Sequence, residues 1–388
     1  MPRKFSVLSL FLVACVLFTS CVRLTVKKET SATNDAYQIV MLGDLHYDSE
    51  ECREPSALKE LTRNRQNEMK LNLRSWCESG ESHKMLELAG KTADELKSPF
   101  VIQIGDFCQG DAGSEEMATK MILECMATCK NYIHVPFIAT KGNHDPRGKG
   151  AEAAVNKTLP AFWSKELNLN PPVKKTTFAY RQGPDVFIFL DDISLEESPQ
   201  NIKVDDVETV KYPNLEYLKS LLQANKDARY KFIVCHLPII PTADSRWLPF
   251  GKAKYDEQRK ALLDLLCEYN AIVLCGHVHT NTFIEYANDK GTLAQLTSFS
   301  LFRTPKSAEM GKLESGGAEM FMSRKKVQDA IVKDATLREF LEFYMTGLKR
   351  FDAFSGAGYC IVSISPEGVT ADYRSIRDPD FTTVIKLR

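Results

Sequence analysis

Five apolar runs, each ending on a residue able to bind a metal or move a proton, constrain this chain more than any other feature. Tyr37-Gln38-Ile39-Val40-Met41-Leu42 leads into Gly43-Asp44-Leu45-His46, and Phe100-Val101-Ile102-Gln103-Ile104 leads into Gly105-Asp106. Pro136-Phe137-Ile138-Ala139-Thr140 leads into Lys141-Gly142-Asn143-His144-Asp145. Lys231-Phe232-Ile233-Val234-Cys235 leads into His236, and Ala271-Ile272-Val273-Leu274-Cys275 into Gly276-His277-Val278-His279. Short apolar runs bounded by turn residues read as buried strands. Five of the seven histidines stand at these strand ends, which scattered core histidines would not do. Open α/β sheets bind ligands beyond the carboxyl ends of their strands, so one sheet edge is expected to carry the chemistry.

Helical patterns alternate with the runs. His83 to Lys97 precedes the second run and Glu115 to Lys130 the third, a β-α-β-α-β rhythm that marks a mostly parallel sheet with covering helices. Thr176 to Tyr180 and Asp185 to Leu190 read as a hairpin across Arg-Gln-Gly-Pro. Helices over Asn214 to Asn225 and about Lys254 to Tyr269 lead to the last two runs, and Thr282 to Tyr286 and Thr292 to Thr297 read as strands. Strands apolar on both faces, present in both halves of the chain, are explained by two packed sheets between outer helices. Near the end, Thr336 with Glu339 makes a capping-box signature for a helix running to Leu348, and Tyr359 to Ser365 with Val369 to Tyr373 reads as a closing hairpin. The expectation is an α/β chain with one domain over residues 36–388. It carries a polar, partly helical insertion at about 48–82 and a peripheral one at about 303–335. A formal net charge of −1 points to neither nucleic acid nor an anionic membrane surface as a bulk electrostatic partner.

Asp44 and His46 are two apart, as are His277 and His279, and in extended backbone each pair would face one way. Carboxylate, amide and imidazole donors together suit Mn, Fe, Co, Ni or Zn better than calcium. Seven such donors are too many for one tetrahedral zinc. Two ions about 3.5–4 Å apart are a standard device for attacking phosphate esters. Taken singly, Asp and Asn at strand ends are explained by turn chemistry; five together at one edge are not.

In order, DLH, GD, GNHD, the histidine of CHLP, and GHVH resemble the five motifs of the calcineurin-like metallophosphoesterases. The resemblance implies a two-sheet β sandwich flanked by helices, in four α/β/β/α layers. It implies that Asp44, His46 and His279 hold one ion, Asn143, His236 and His277 a second, and that the Asp106 carboxylate bridges them. A hydroxide shared by the ions would attack phosphorus, with His144 protonating the leaving oxygen and Asp145 orienting it; for Asp145 a plain loop or cap role stands beside this. Where the purple acid phosphatase branch continues its GD motif to a metal-binding tyrosine, this chain has Gln109, which makes a ferric purple site an unsuitable reading. The implied activity is hydrolysis of a small-molecule phosphodiester or phosphomonoester. The rival from another class is a metal-binding scaffold that has lost turnover, against which the retained His144 argues. Asp191 and Asp192 also follow an apolar strand, where they either line the cleft or, as expected here, form a loop. Arg147, Lys149, Arg246 and Trp247 lie on loops after ligand-bearing strands, either contacting substrate or solvated.

Arg3 and Lys4 precede an apolar run from Phe5 to Phe18, shorter than the roughly 20 residues a bilayer span needs. It reads as a signal peptide over residues 1–20. The ending LFTSC resembles the lipobox of bacterial lipoproteins, which makes Cys21 the lipidated residue and residues 21–35 a flexible tether, of roughly 20 Å reach. The expected location is the cell envelope, exported and lipid-anchored. Of the remaining cysteines, Cys52 and Cys77 are the only pair placed to form a disulfide, and Cys125, Cys129, Cys235, Cys275 and Cys360 read as core thiols.

Overall fold

The computed structural model describes residues 25–27, 35–193, 214–242, 256–300, 310–378 and 380–388. The signal segment, Cys21, Arg246 and Trp247 lie outside the described residues, as do residues 303–309 of the second insertion. The described residues form two mixed sheets. The larger runs β1 (Thr25–Lys27), β5 (Phe178–Gln182), β6 (Asp185–Phe189), β7 (Lys231–Val234), β8 (Ile272–Cys275), β10 (Gly291–Thr297), β9 (Asn281–Asn288), β12 (Leu348–Phe354), β11 (Glu314–Gly316). The smaller runs β15 (Thr382–Lys386), β14 (Gly368–Ser375), β13 (Gly358–Ser365), β2 (Tyr37–Leu42), β3 (Val101–Gln103), β4 (Phe137–Ala139). Strands β2, β3 and β4 are mutually parallel, and so are β6, β7, β8 and β10.

Alternation along the central strands shows why they are apolar throughout. On β7, Phe232 and Val234 enter the core between the sheets, while Ile233 and the following Cys235 enter a second core under the outer helices. Phe187 stacks on Phe232 at 4.5 Å between ring centroids, and Phe100 from the smaller sheet meets Phe187 edge-on at 5.1 Å. Each aromatic buried in this way contributes about 1.5–3 kcal/mol. Helices α3 (Glu81–Glu95), α4 (Glu115–Tyr132) and α5 (Ala151–Glu166) cover the smaller sheet. Helices α6 (Leu215–Ala224), α7 (Asp256–Glu268), α8 (Ala318–Ser323), α9 (Lys325–Lys333) and α10 (Thr336–Met345) pack on the second core. This is the expected sandwich. None of the helices among the described residues is long and apolar enough to cross a membrane.

The residues after Asp48 fold as a short 3-10 turn (Glu50–Cys52), α1 (Pro55–Glu60), α2 (Arg63–Leu73) and a π-helical continuation (Arg74–Glu78). Helix α10 ends at Met345 rather than Leu348, because Leu348 opens strand β12 against β9. Its capping residue is Ala335, which makes no side-chain cap, and Thr336 is the first helical residue, its N–H and hydroxyl donating to the Asp334 carboxylate. Cys52 and Cys77 are both free thiols, Cys52 donating to Glu124 at 2.9 Å.

Candidate metal centre

The carboxyl ends of β2, β3 and β4 from one sheet meet those of β7 and β8 from the other. Main-chain bonds fix the meeting: the His277 N–H donates to Asp44 Oδ1 at 3.1 Å, and His236 Nδ1 donates to the Ile104 carbonyl at 2.8 Å. A glycine is required at 142, where a Cβ would stand 2.1 Å from the Asp106 nitrogen. Its role is therefore close approach of two loops rather than an unusual backbone angle. The unusual angles fall on the polar residues themselves: His46, Asp106, His277 and His279 have φ of 44°, 53°, 73° and 50°. The expected extended pairs, Asp44 with His46 and His277 with His279, are thus corrected to left-handed turns. Backbone held there costs on the order of 1–3 kcal/mol per residue and collects at functional sites.

Three groups of donor atoms lie within 4.8 Å of one another: Asp44, His46 and His279; His46, Asp106 and His144; and Asp106, His236 and His277. His279 Nε2 is 3.0 Å from Asp44 Oδ2 and 3.2 Å from His46 Nε2. His236 Nε2 is 3.2 Å from Asp106 Oδ2, 3.0 Å from Asn143 Oδ1 and 3.1 Å from His277 Nδ1. Asp106 Oδ2 also faces His46 Nε2 at 3.7 Å, so this one oxygen looks into both halves. Asp44 Oδ2 is wholly buried, and its contact with His279 Nε2 lacks hydrogen-bond geometry. Such an oxygen, facing His279 Nε2 and His46 Nε2 with the other His46 ring nitrogen held by the Gln109 amide oxygen, fits a divalent cation. Burial alone would raise the Asp106 pKa, but His236, His144 and His46 outweigh it and hold the carboxyl well below its usual range. Burial would lower His236, but Asp106 chiefly, with Asp44 and Asp192, pushes it up to about 10.

Asp145 accepts from the Asp106, Cys108 and Gly142 N–H groups, at 3.1, 2.8 and 2.7 Å. These bonds tie the turn after β3 to the turn after β4, so Asp145 positions the loop that carries His144. His144 is half-buried, its N–H on Asp106 Oδ1 at 2.7 Å, its Nδ1 3.2 Å from the Gln109 carbonyl and its Nε2 3.3 Å from Arg147. Arg147 is buried and bridges to Asp111 at 2.8 Å; Lys149 is exposed. Asp191 pairs with buried Lys141 at 2.6 Å, and Asp192 accepts from the Leu237 N–H at 2.7 Å, so both brace the site from below.

The residues after Asp48 contribute a brace that sequence reading missed. Gln109 Oε1 accepts from His46 Nδ1 at 2.9 Å and from Asn72 Nδ2 at 2.6 Å, and Gln109 Nε2 donates to Glu68 at 3.3 Å. Trp76 Nε1 donates to the carbonyls of Leu45 and His46, each at 3.2 Å. Phe299 stacks on His279 at 5.1 Å. The sequence marks Gln109 only as a departure from a metal-binding tyrosine, and Asn72 and Trp76 sit in a polar stretch with no periodic signal.

The calcineurin-like phosphoesterase family matches residues 37–281, more than half of the chain. The chain belongs to that family. No curated protein matches the sequence. Among solved structures, a dimetal phosphatase from Danio rerio is similar at 14% identity, with 91% of this chain and 99% of that chain covered and a TM-score of 0.50. A purple acid phosphatase from yellow lupin seeds is similar at 11% identity, over 91% of this chain and 54% of that chain, with a TM-score of 0.49. GAP50, titled the anchor in the inner membrane complex of Plasmodium, is similar at 14% identity, over 91% and 89%, with a TM-score of 0.45. At such identities the likeness shows fold alone.

Proposed function

We propose that this chain is a phosphoester hydrolase that works with two divalent metal ions, Mn, Fe or Zn. The observation that carries the reading is Asp106 Oδ2, placed 3.7 Å from His46 Nε2 and 3.2 Å from His236 Nε2, between two converging donor sets. Asp44, His46 and His279 would hold one ion, and Asn143, His236 and His277 the other. Ions bound there supply an activated water at neutral pH and polarise the phosphoryl oxygen. The chain's own residues do the rest. Asp106 balances charge between the halves, and Asp44 does so for the first. His144 stands at the mouth, its ring edge-on to His46 at 4.3 Å; as an imidazolium, with a solvent proton on Nε2 in place of the Arg147 contact, it would deliver that proton to the departing oxygen. Asp145 keeps His144 in place through the loop, and Arg147 sets the direction of its Nε2.

The test is hydrolysis of bis(p-nitrophenyl) phosphate and p-nitrophenyl phosphate by metal-stripped protein with Mn, Fe(II) or Zn returned singly. Turnover that requires metal supports the reading, and the ratio of the two rates assigns diester or monoester preference. Two ions bound per chain with no turnover would favour the scaffold alternative.

Export and lipid attachment at Cys21 belong to the same proposal and rest on the sequence of residues 1–35. Cys21→Ser is expected to abolish palmitate labelling and release the protein from the membrane fraction. Unchanged labelling would remove the anchor.

A further inference from the structure

Strand β1 forms one edge of the larger sheet and starts four residues after Cys21, so its direction decides which end of the sandwich that cysteine adjoins. β1 is parallel to β5, β5 is antiparallel to β6, and β6 is parallel to β7, whose carboxyl end leads into His236. Thr25 is therefore at the metal-centre end of β1. The ladder gives its level: Thr25 pairs with Ala179, Ala179 with Ile188, and Ile188 with Ile233, three residues short of His236. At the spacings of a sheet, Thr25 stands about 14 Å to the side of β7 and about 10 Å short of the level of His236.

A second contact, independent of the ladder, agrees with this direction. Lys27, at the other end of β1, connects through Arg181 and Val186 to Lys231, the first residue of β7. At that same end Arg229 donates to the Asp35 carbonyl at 2.7 Å. Lys27 and Asp35, the described residues on either side of 28–34, thus both stand away from the metal centre.

Four residues of chain span at most about 14 Å. A lipid on Cys21 consequently holds the headgroup layer within that distance of Thr25, in a domain about 50 Å across. The centre is entered from the same end: His144 and His279 are partly exposed, while the other proposed ligands are buried. A short tether raises the local concentration only of molecules confined to the same surface. We propose that the metal centre works at the membrane surface and that its substrate is a phosphoester carried by a lipid of the same leaflet. The substrate class rests on the hydrolase reading and on attachment at Cys21; the direction of β1 rests on neither. In the reaction the hydroxyl of water joins phosphorus as a P–O ester bond breaks, and the departing oxygen takes the remaining proton.

The experiment uses the Cys21-lipidated chain with Mn in phosphatidylcholine vesicles, in a Cys77→Ser background that removes the exposed thiol. A fluorophore on Lys149→Cys, in the exposed part of the His144 loop, is expected to be quenched by spin-labelled headgroups. One on Val384→Cys is not: it is exposed on β15, which adjoins β14, and β14 packs against β12 on the side of the larger sheet away from β1. Equal quenching of both, or quenching of Val384→Cys alone, would overturn the orientation. At equal bulk concentration, phosphatidate in the vesicles should be hydrolysed about tenfold faster than glycerol 3-phosphate, with phosphatidylglycerol and glycerophosphoglycerol as the diester pair. A Gly-Ser spacer of about twelve residues after Val22 lengthens the tether about fourfold, and should slow the lipid reaction about eightfold while leaving the soluble one unchanged. A lipid rate no higher than the soluble one, or a spacer without effect, would overturn the lipid substrate. If neither member of a pair nor p-nitrophenyl phosphate is hydrolysed while Lys149→Cys is quenched, the hydrolase reading falls and the orientation stands. If Cys21 takes no palmitate, the anchor falls and takes the substrate class with it.

Discussion

His46 and His236 both present Nε2 to the Asp106 carboxylate, yet they are held by different parts of the molecule. His236 is oriented by main chain: its Nδ1 meets the Ile104 carbonyl at the end of the β3 run, in the facing sheet. His46 is oriented by side chains, through Gln109 and Asn72, with Trp76 fixing its backbone from beneath. A main-chain partner exists wherever the fold exists, so the second half of the centre is as stable as the sandwich. The His46 backbone is tied to the Asp106 carbonyl, but the orientation of its ring depends on side chains, Gln109 and, from a helical excursion, Asn72, and can be weakened without disturbing the sheets.

The largest expected effect abolishes the difference between the halves. Asp106→Ala removes the oxygen they share, and turnover should fall by about a thousandfold or more with loss of bound metal, measured by metal analysis beside initial rates. His144→Ala should cost roughly 10²–10⁴ in turnover while both ions stay bound, since neither proposed ligand set includes His144. A variant that loses metal as well would place His144 among the ligands.

The contrast itself is sharpened by Gln109→Met and Asn72→Ala. Each is expected to weaken one ion about 10–100-fold and leave the other unchanged, read by calorimetric titration of Mn. Equal weakening of both ions would mean that the halves are not separately supported. The second half has its own signature in pH. His236, raised to about 10 in the metal-free protein, must lose a proton to bind, so affinity for its ion should rise about tenfold per unit between pH 6 and 8. The sign in the metal-free protein is opposite: this histidine's contribution to stability is full below its ordinary 6.5 and is lost as pH rises through about 10. The smallest effect is expected for Trp76→Phe, which keeps the packing but loses the indole N–H. It should cost about 1 kcal/mol in denaturant unfolding.

Much of the centre was legible because its residues stand at the ends of strands whose apolar character is unmistakable. Asp44, Asp106, Asn143, His236 and His279 needed only the run before them. What the sequence concealed was of two kinds. The left-handed turns at His46 and His277 carry no glycine to announce them; they persist because the surrounding loops over-determine them. The brace through Asn72 and Trp76 is built on α2 and its π-helical end, where polar residues face inward and no apolar period marks the buried side. Strands β1, β11, β12 and β15 escaped for a related reason, and β1 corrects the expected flexible tether over residues 21–35, since Thr25–Lys27 pairs with β5. They are edge or near-edge strands whose charged and polar residues, such as Lys349 and Arg350, read as loop or helix end.

Anomalous diffraction from crystals grown with Mn tests the central claim most directly. The account expects two peaks about 3.5–4 Å apart, one beside Asp44, His46 and His279 and one beside Asn143, His236 and His277, with Asp106 between them. A single peak, or two peaks that do not share Asp106, would contradict it.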